Sequence, residues 1–108
     1  GRKDNVINSG GIKIQAEEIE KILRPYIPVP FVITSVPDQR LGQAVTLLIE
    51  GQMEISALET KLESVLAPYY RPKYIYQVNH IPQTGNGKIN RKECRVLAES
   101  LQLLGRQE

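Results

Sequence analysis

Apolar residues recur along this chain at two spacings, and each change of spacing marks a boundary between elements. Between Asp4 and Gln15, Val6-Ile7 and Ile12-Lys13-Ile14 flank Ser9-Gly10-Gly11. Glycine pairs favour the left-handed turns that close two strands, so this stretch predicts a hairpin. From Ala16 the spacing becomes helical, with Ile19, Ile22 and Leu23 on one face and Pro25 ending the helix near Arg24. Val29 to Val36 and Ala44 to Ile49 are rich in β-branched residues and predict two buried strands, joined by a turn over Pro37 to Gly42. Ser56 and Glu59 have the spacing of a capping box and open a helix striped by Leu58, Leu62, Val65 and Leu66, which Pro68 stops. Lys73 to Val78 predicts a third strand with Tyr74, Tyr76 and Val78 on one face. Cys94, Leu97, Leu101 and Leu104 then mark a last helix, in which Cys94 is a small core residue. The sum is an α+β domain: a small three-stranded sheet packed with helices, plus an N-terminal two-stranded hairpin.

Composition narrows the function more than the fold. At 108 residues and 41% hydrophobic content the chain supports one folded domain with a modest core. A formal charge of +2, with acids and bases interleaved, supplies no basic stripe for nucleic acid. No apolar run approaches the ~20 residues that span a bilayer, so neither nucleic acid nor a membrane is an expected partner. One cysteine, Cys94, excludes an internal disulfide, and one histidine, His80, excludes a histidine-based metal cluster. His80 precedes Ile81-Pro82 and reads as a strand-end surface residue, and no metal site is expected. The chain opens on Gly-Arg-Lys-Asp without a signal peptide, so it is expected to be a piece of something longer.

Candidate chemistry concentrates in Pro82-Gln83-Thr84-Gly85-Asn86-Gly87-Lys88-Ile89-Asn90-Arg91, a glycine-rich turn that delivers one lysine. Gly85, Asn86 and Gly87 tolerate positive φ, which permits a tight turn and close approach to a ligand. A cation on a flexible stem suits an anion whose charge changes during reaction, such as a phosphate. The same residues also suit an ordinary turn with a solvated lysine. The loop is not a Walker motif, because Pro82 stands at the first glycine position and Ile89 follows the lysine. Neither glycine cluster has dinucleotide-binding spacing. Ser9-Gly10-Gly11 is either a plain hairpin turn or a bare backbone past which an extended ligand can slide.

Four segments in order resemble one family. Gly1-Arg2-Lys3-Asp4-Asn5-Val6-Ile7-Asn8-Ser9-Gly10-Gly11-Ile12-Lys13-Ile14, followed by Glu17-Glu18-Ile19-Glu20, is similar to the opening motif of the C-terminal domain of adenylate-forming enzymes. Asp38 to Val45 resembles the strand-connecting turn of that domain. Leu66 to Pro72 resembles its proline- and tyrosine-bearing segment, and the Lys88 loop its terminal lysine motif. The superfamily includes acyl- and aryl-CoA synthetases and the adenylation domains of peptide synthetases. The run Asn5 to Ile14 is most similar to that of bacterial o-succinylbenzoate–CoA ligases, which serve menaquinone biosynthesis.

The resemblance implies that residues 1–108 form a mobile C-terminal lid beginning at an interdomain hinge, with a large N-terminal domain absent. It implies a cytoplasmic ATP-dependent carboxylic acid–CoA ligase that makes an acyl-adenylate, rotates the lid and transfers the acyl group to a thiol. Lys88 matches the catalytic lysine of adenylation, and with Arg2 the nucleotide contacts. Asp4 matches the hinge. Gly10 and Gly11 match the turn lining the pantetheine tunnel. Tyr69, Arg71 and Lys73 occupy positions where some aryl-CoA ligases bind the nucleotide end of CoA; by themselves Arg71 and Lys73 also read as solvated surface cations. Leu41 stands where relatives carry tryptophan. ATP and CoA are the implied substrates, with Mg2+ held outside this domain, and the isolated domain is expected to be inactive. Two alternatives stay open: a peptide-synthetase lid that loads a carrier protein, and a non-catalytic binding module.

Overall fold

A computed structural model describes residues 5–106 and confirms the α+β class. The elements are β1 (Val6–Ser9), β2 (Ile12–Gln15), α1 (Ala16–Leu23), β3 (Phe31–Asp38), β4 (Gly42–Glu50), α2 (Ile55–Val65), β5 (Tyr74–Val78) and α3 (Arg91–Arg106), with a 3-10 turn over Pro68–Tyr70. The expected three strands are β3, β4 and β5. β3 and β4 form a long antiparallel pair from Phe31↔Ile49 to Asp38↔Gly42. β5 lies parallel to β4, from Thr46↔Tyr74 to Glu50↔Val78. A parallel partner needs a crossover, and α2 supplies it.

The hairpin is not separate from this sheet. Ser9 pairs with Gly42, so β1 joins the start of β4 and the strands form one five-stranded sheet. The main-chain bond from Gly10 N–H to Leu41 O, at 2.9 Å, fixes that junction.

Strand alternation sorts the apolar side chains into two cores. Ile33, Val45, Leu47 and Ile49 face one side, with Ile19 and Leu23 of α1 and Leu58, Leu62 and Leu66 from α2 and its C-cap. Val32, Val36, Ala44 and Leu48 face the other, against Cys94 and Ala98 of α3. β3 and β4 read as continuous apolar runs because helices cover both of their faces. Tyr74, Tyr76 and Val78 pack together on the α3 side, as their alternation predicts.

Three local expectations need correction. The capping box does not form: Ser56 Oγ donates to Glu54 Oε1 at 2.8 Å, and the N-cap position is Glu54. Ile22 is 38% exposed, since α1 buries the stripe Ala16, Ile19, Glu20 and Leu23. Leu104 is 60% exposed. α3 meets the sheet through Cys94, Ala98 and Gln102, and Gln102 Nε2 donates to Pro37 O near the end of β3. Leu104 lies beyond that last anchor.

Candidate functional site

The Lys88 loop is a small hairpin of its own. Thr84 N–H donates to Lys88 O at 2.7 Å, Gly87 N–H donates to Thr84 O at 3.0 Å, and Gln83 bridges Ile89. Gly87 carries the positive φ, +80°, that lets the turn close, whereas Gly85 does not need one. The residues from Gln83 to Ile89 are exposed, and Lys88 forms no ion pair among the described residues. Its ammonium group is therefore available to an incoming anion.

One leg of this hairpin is fastened to the sheet and the other to α1. Ile81 is buried, and its N–H donates to Glu50 Oε1 at 2.9 Å. Asn90 N–H donates to Pro82 O, and Asn90 Oδ1 accepts Glu93 N–H at 3.1 Å, capping α3. Arg91 makes two bonds to Glu20, NH1 to Oε2 at 3.0 Å and NH2 to Oε1 at 2.7 Å. Burial opposes the Arg91 charge, and the Glu20 carboxylate outweighs it, pushing the guanidinium pKa up. Glu20 and Arg91 went unremarked as functional candidates in the sequence. One signal was there: Glu20 falls on the i, i+3, i+4, i+7 stripe of α1 that is otherwise apolar.

The second glycine element sits at the far end of β4. Gly10 (φ +60°) and Gly11 (φ +85°) form the turn of the β1–β2 hairpin, and Gly10 packs against Leu41. Among the described residues no atom approaches the space a Gly11 side chain would fill, so the backbone there is open to them. Gly42 lies beside this turn, whereas Glu50 holds the root of the Lys88 loop. Nine residues of β4 separate the two elements, roughly 26 Å at ~3.3 Å per residue.

The basic positions Arg71 and Lys73 both have partners within the domain, although Lys73 stays exposed. Lys73 Nζ lies 2.6 Å from Asp38 Oδ2. Asp38 Oδ1 also accepts the N–H groups of Arg40 and Leu41, both at 2.9 Å. The Lys73 bond first, and the Leu41 N–H next, hold the Asp38 carboxyl down to a pKa of about 2, while the Lys73 pKa is raised. Arg71 donates from Nε to Leu66 O at 3.1 Å and from NH2 to Glu63 O at 2.9 Å, closing the C-terminus of α2. The groove beside it carries Glu59 and Glu63, whose charges oppose a phosphate. Tyr69 is 52% exposed and meets Tyr70 edge-on at 4.9 Å. Arg2 and Asp4 lie outside the described residues. Cys94 is fully buried, and burial pushes its thiol up to about 11, so it is a core residue and no nucleophile. His80 is exposed.

Among the described residues no cluster of three His, Cys, Asp or Glu could hold a metal ion. No helix among them is long and apolar enough to cross a membrane.

No protein-family model matches the chain. Individual proteins do. Triostin synthetase I of Streptomyces triostinicus is 37% identical over 105 residues, covering 93% of this chain and 20% of that protein. The 2-succinylbenzoate–CoA ligase of Lactococcus lactis is 33% identical over 95 residues, covering 87% of this chain and 21% of that protein. Ligases named for other carboxylic acids match at comparable identity. Among solved structures, an acyl-CoA synthetase (AMP-forming)/AMP-acid ligase II-like protein from Dyadobacter fermentans superposes with a TM-score of 0.77 at 33% identity. That match covers 87% of this chain and 29% of the other. The chain thus spans about a fifth of the length of the curated relatives it matches.

Proposed function

We propose, for a chain whose homologues and structural neighbours are AMP-forming acyl- and aryl-CoA ligases matched over their C-terminal domain region, that it is the mobile lid of an ATP-dependent acid–thiol ligase. The observation that carries this reading is the separation of the two glycine elements by the length of β4. A site large enough for one adenylate cannot meet both at once. A domain that turns can present the Lys88 loop first and the Gly10-Gly11 turn second, which is a hinge motion of the kind that assembles active sites.

In the first step a carboxylate oxygen attacks the α-phosphorus of ATP and pyrophosphate leaves. Lys88, without an ion pair among the described residues, offers its ammonium to the oxygens whose charge shifts in that step. In the second, a thiol displaces AMP, and the open backbone at Gly11 leaves room for a narrow pantetheine arm. Arg2 and Asp4 keep their proposed places at the nucleotide and the hinge. Mg2+ accompanying ATP is assigned to the N-terminal partner domain, as the family resemblance implies. We assign the enzyme to the cytoplasm and take 2-succinylbenzoate, on the route to menaquinone, as the first acid to test.

A second reading concerns the acceptor. Tyr69, Arg71 and Lys73 would meet the nucleotide end of CoA only if Lys73 left Asp38 and Arg71 left the α2 carbonyls. Those commitments favour a carrier-protein thiol as the alternative to free CoA.

The test is Lys88→Ala in the intact ligase. ATP–pyrophosphate exchange should slow by a factor on the order of a hundred, the scale of one lost transition-state contact. Reaction of preformed acyl-adenylate with thiol should be much less affected. Equal loss in both half-reactions would refute the division of labour.

A further inference from the structure

Among the described residues, the hydrogen bonds that tie the Lys88 loop to the rest of the domain lie at its two roots. Every hydrogen bond between Gln83 and Ile89 is internal to the loop among the described residues. Its direction is therefore set where Ile81 meets Glu50 and where Arg91 meets Glu20. The second root is unusual in its chemistry. Glu20 is only 3% exposed, and its two oxygens are spent on Arg91 and on the N–H of Ile33, which Oε2 accepts at 2.9 Å.

Such a joint is a poor way to gain stability. Buried ion pairs lose much of their attraction to desolvation, and well-packed apolar residues of similar volume often serve the fold as well or better. What a planar two-point pair provides, and apolar contact does not, is orientation. Here it locks α1, β3 and the first turn of α3 together, and Lys88 stands three residues before Arg91.

We infer that Arg91, gripped by Glu20, is a positioning residue that aims Lys88 during adenylation. The inference rests on the proposed role of Lys88. A displacement of about 1 Å at a reacting group is enough to cost a factor on the order of a hundred, so a modest change in the aim of the loop should be visible in rate.

The experiment is a double-mutant comparison in the intact ligase. Arg91→Lys keeps a cation against Glu20 and so spares the fold, but loses the two-point grip. With Lys88 present, Arg91→Lys should slow ATP–pyrophosphate exchange by on the order of tenfold and leave transfer from preformed acyl-adenylate unchanged. In a Lys88→Ala background the same substitution should have no further effect, because there is nothing left to aim. Loss by the same factor in both backgrounds, equal loss in both half-reactions, or no loss with Lys88 present would each overturn the inference. If Lys88→Ala alone leaves exchange intact, the role given to Lys88 falls first and the positioning role with it. Should Arg91→Lys melt below the assay temperature, Glu20→Gln with Arg91→Met, which leaves no buried charge, takes its place with the same expected outcomes.

Discussion

Removing Arg91 should destabilise this chain far more than neutralising Glu20, although the two form one pair. Arg91→Met deletes both bonds, at 3.0 and 2.7 Å, and leaves a carboxylate that is 4% exposed facing an apolar side chain. Breaking a buried pair from one side costs about 3–5 kcal/mol. The Arg91 side chain is 26% exposed, so water can reach part of the space it vacates. That places the loss near the lower end, at about 3 kcal/mol. Glu20→Gln is milder, since its carbonyl oxygen still accepts the Ile33 N–H and the remaining guanidinium can recruit solvent. A loss of about 1–2 kcal/mol follows from weakening charge-assisted bonds without orphaning a buried charge. Urea unfolding of the 108-residue chain, followed by circular dichroism, measures both. With a slope of about 1.5 kcal/mol per molar, Arg91→Met should lower the midpoint by about 2 M, at unchanged slope. If Arg91→Met costs under about 1 kcal/mol, as an exposed pair would, the account of Glu20 as a buried, Arg91-dependent anion is wrong. A cost for Glu20→Gln equal to that of Arg91→Met would refute it as well.

Other expectations can be checked with the same material. Gly87→Ala forces a left-handed residue at φ +80° and should cost about 1–2 kcal/mol by chemical unfolding, whereas Gly85→Ala, with open space and no positive φ, should be nearly neutral. The thiol of Cys94 should not react with a disulfide reagent at pH 8 in the folded chain, and should do so fully in denaturant; prompt native reactivity would contradict its burial. Asp38 has its folded pKa lowered from 3.8 to about 2, so its contribution to stability is complete above pH ~4 and disappears as pH falls through 2. Carboxyl NMR should find that midpoint near 2, and a midpoint near 4 would mean that Lys73 does not hold it. In the ligase proposed above, Asp38→Asn releases Lys73 while keeping an acceptor for the Arg40 and Leu41 N–H groups. KM for CoA should fall if Lys73 binds a CoA phosphate, and an unchanged or higher value would count against that subsite.

Much of the fold was legible because its signals are local. The β-branched runs of β3 and β4, the leucine stripe of α2, and the helix stops at Pro25 and Pro68 depend on residues close in sequence. Where local signals failed, a competing contact, near or distant in sequence, had changed their meaning. The Ser56–Glu59 spacing suggested a cap, but Ser56 bonds Glu54 instead. Leu104 kept the helical period, yet the sheet that would have covered it ends where Gln102 meets Pro37. Arg71 and Lys73 looked like free surface cations because their partners, the Leu66 and Glu63 carbonyls and the Asp38 carboxylate, are invisible to local pattern.

The sequence by itself determined which residues are rare enough in kind to matter: a glycine loop ending in Lys88, a glycine pair at Gly10-Gly11, and no metal-binding set of histidines or cysteines. It also determined the α+β class, since hydrophobic period and turn chemistry are written residue by residue. Only the tertiary structure decided how those pieces relate. It attached the hairpin to β4 through Ser9 and Gly42, and placed the two glycine elements at opposite ends of that strand. It tied the root of the Lys88 loop to Glu20, 71 residues away in sequence. Pairing of this kind depends on which surfaces remain to be buried once the local elements have formed, and no window along the chain contains that information.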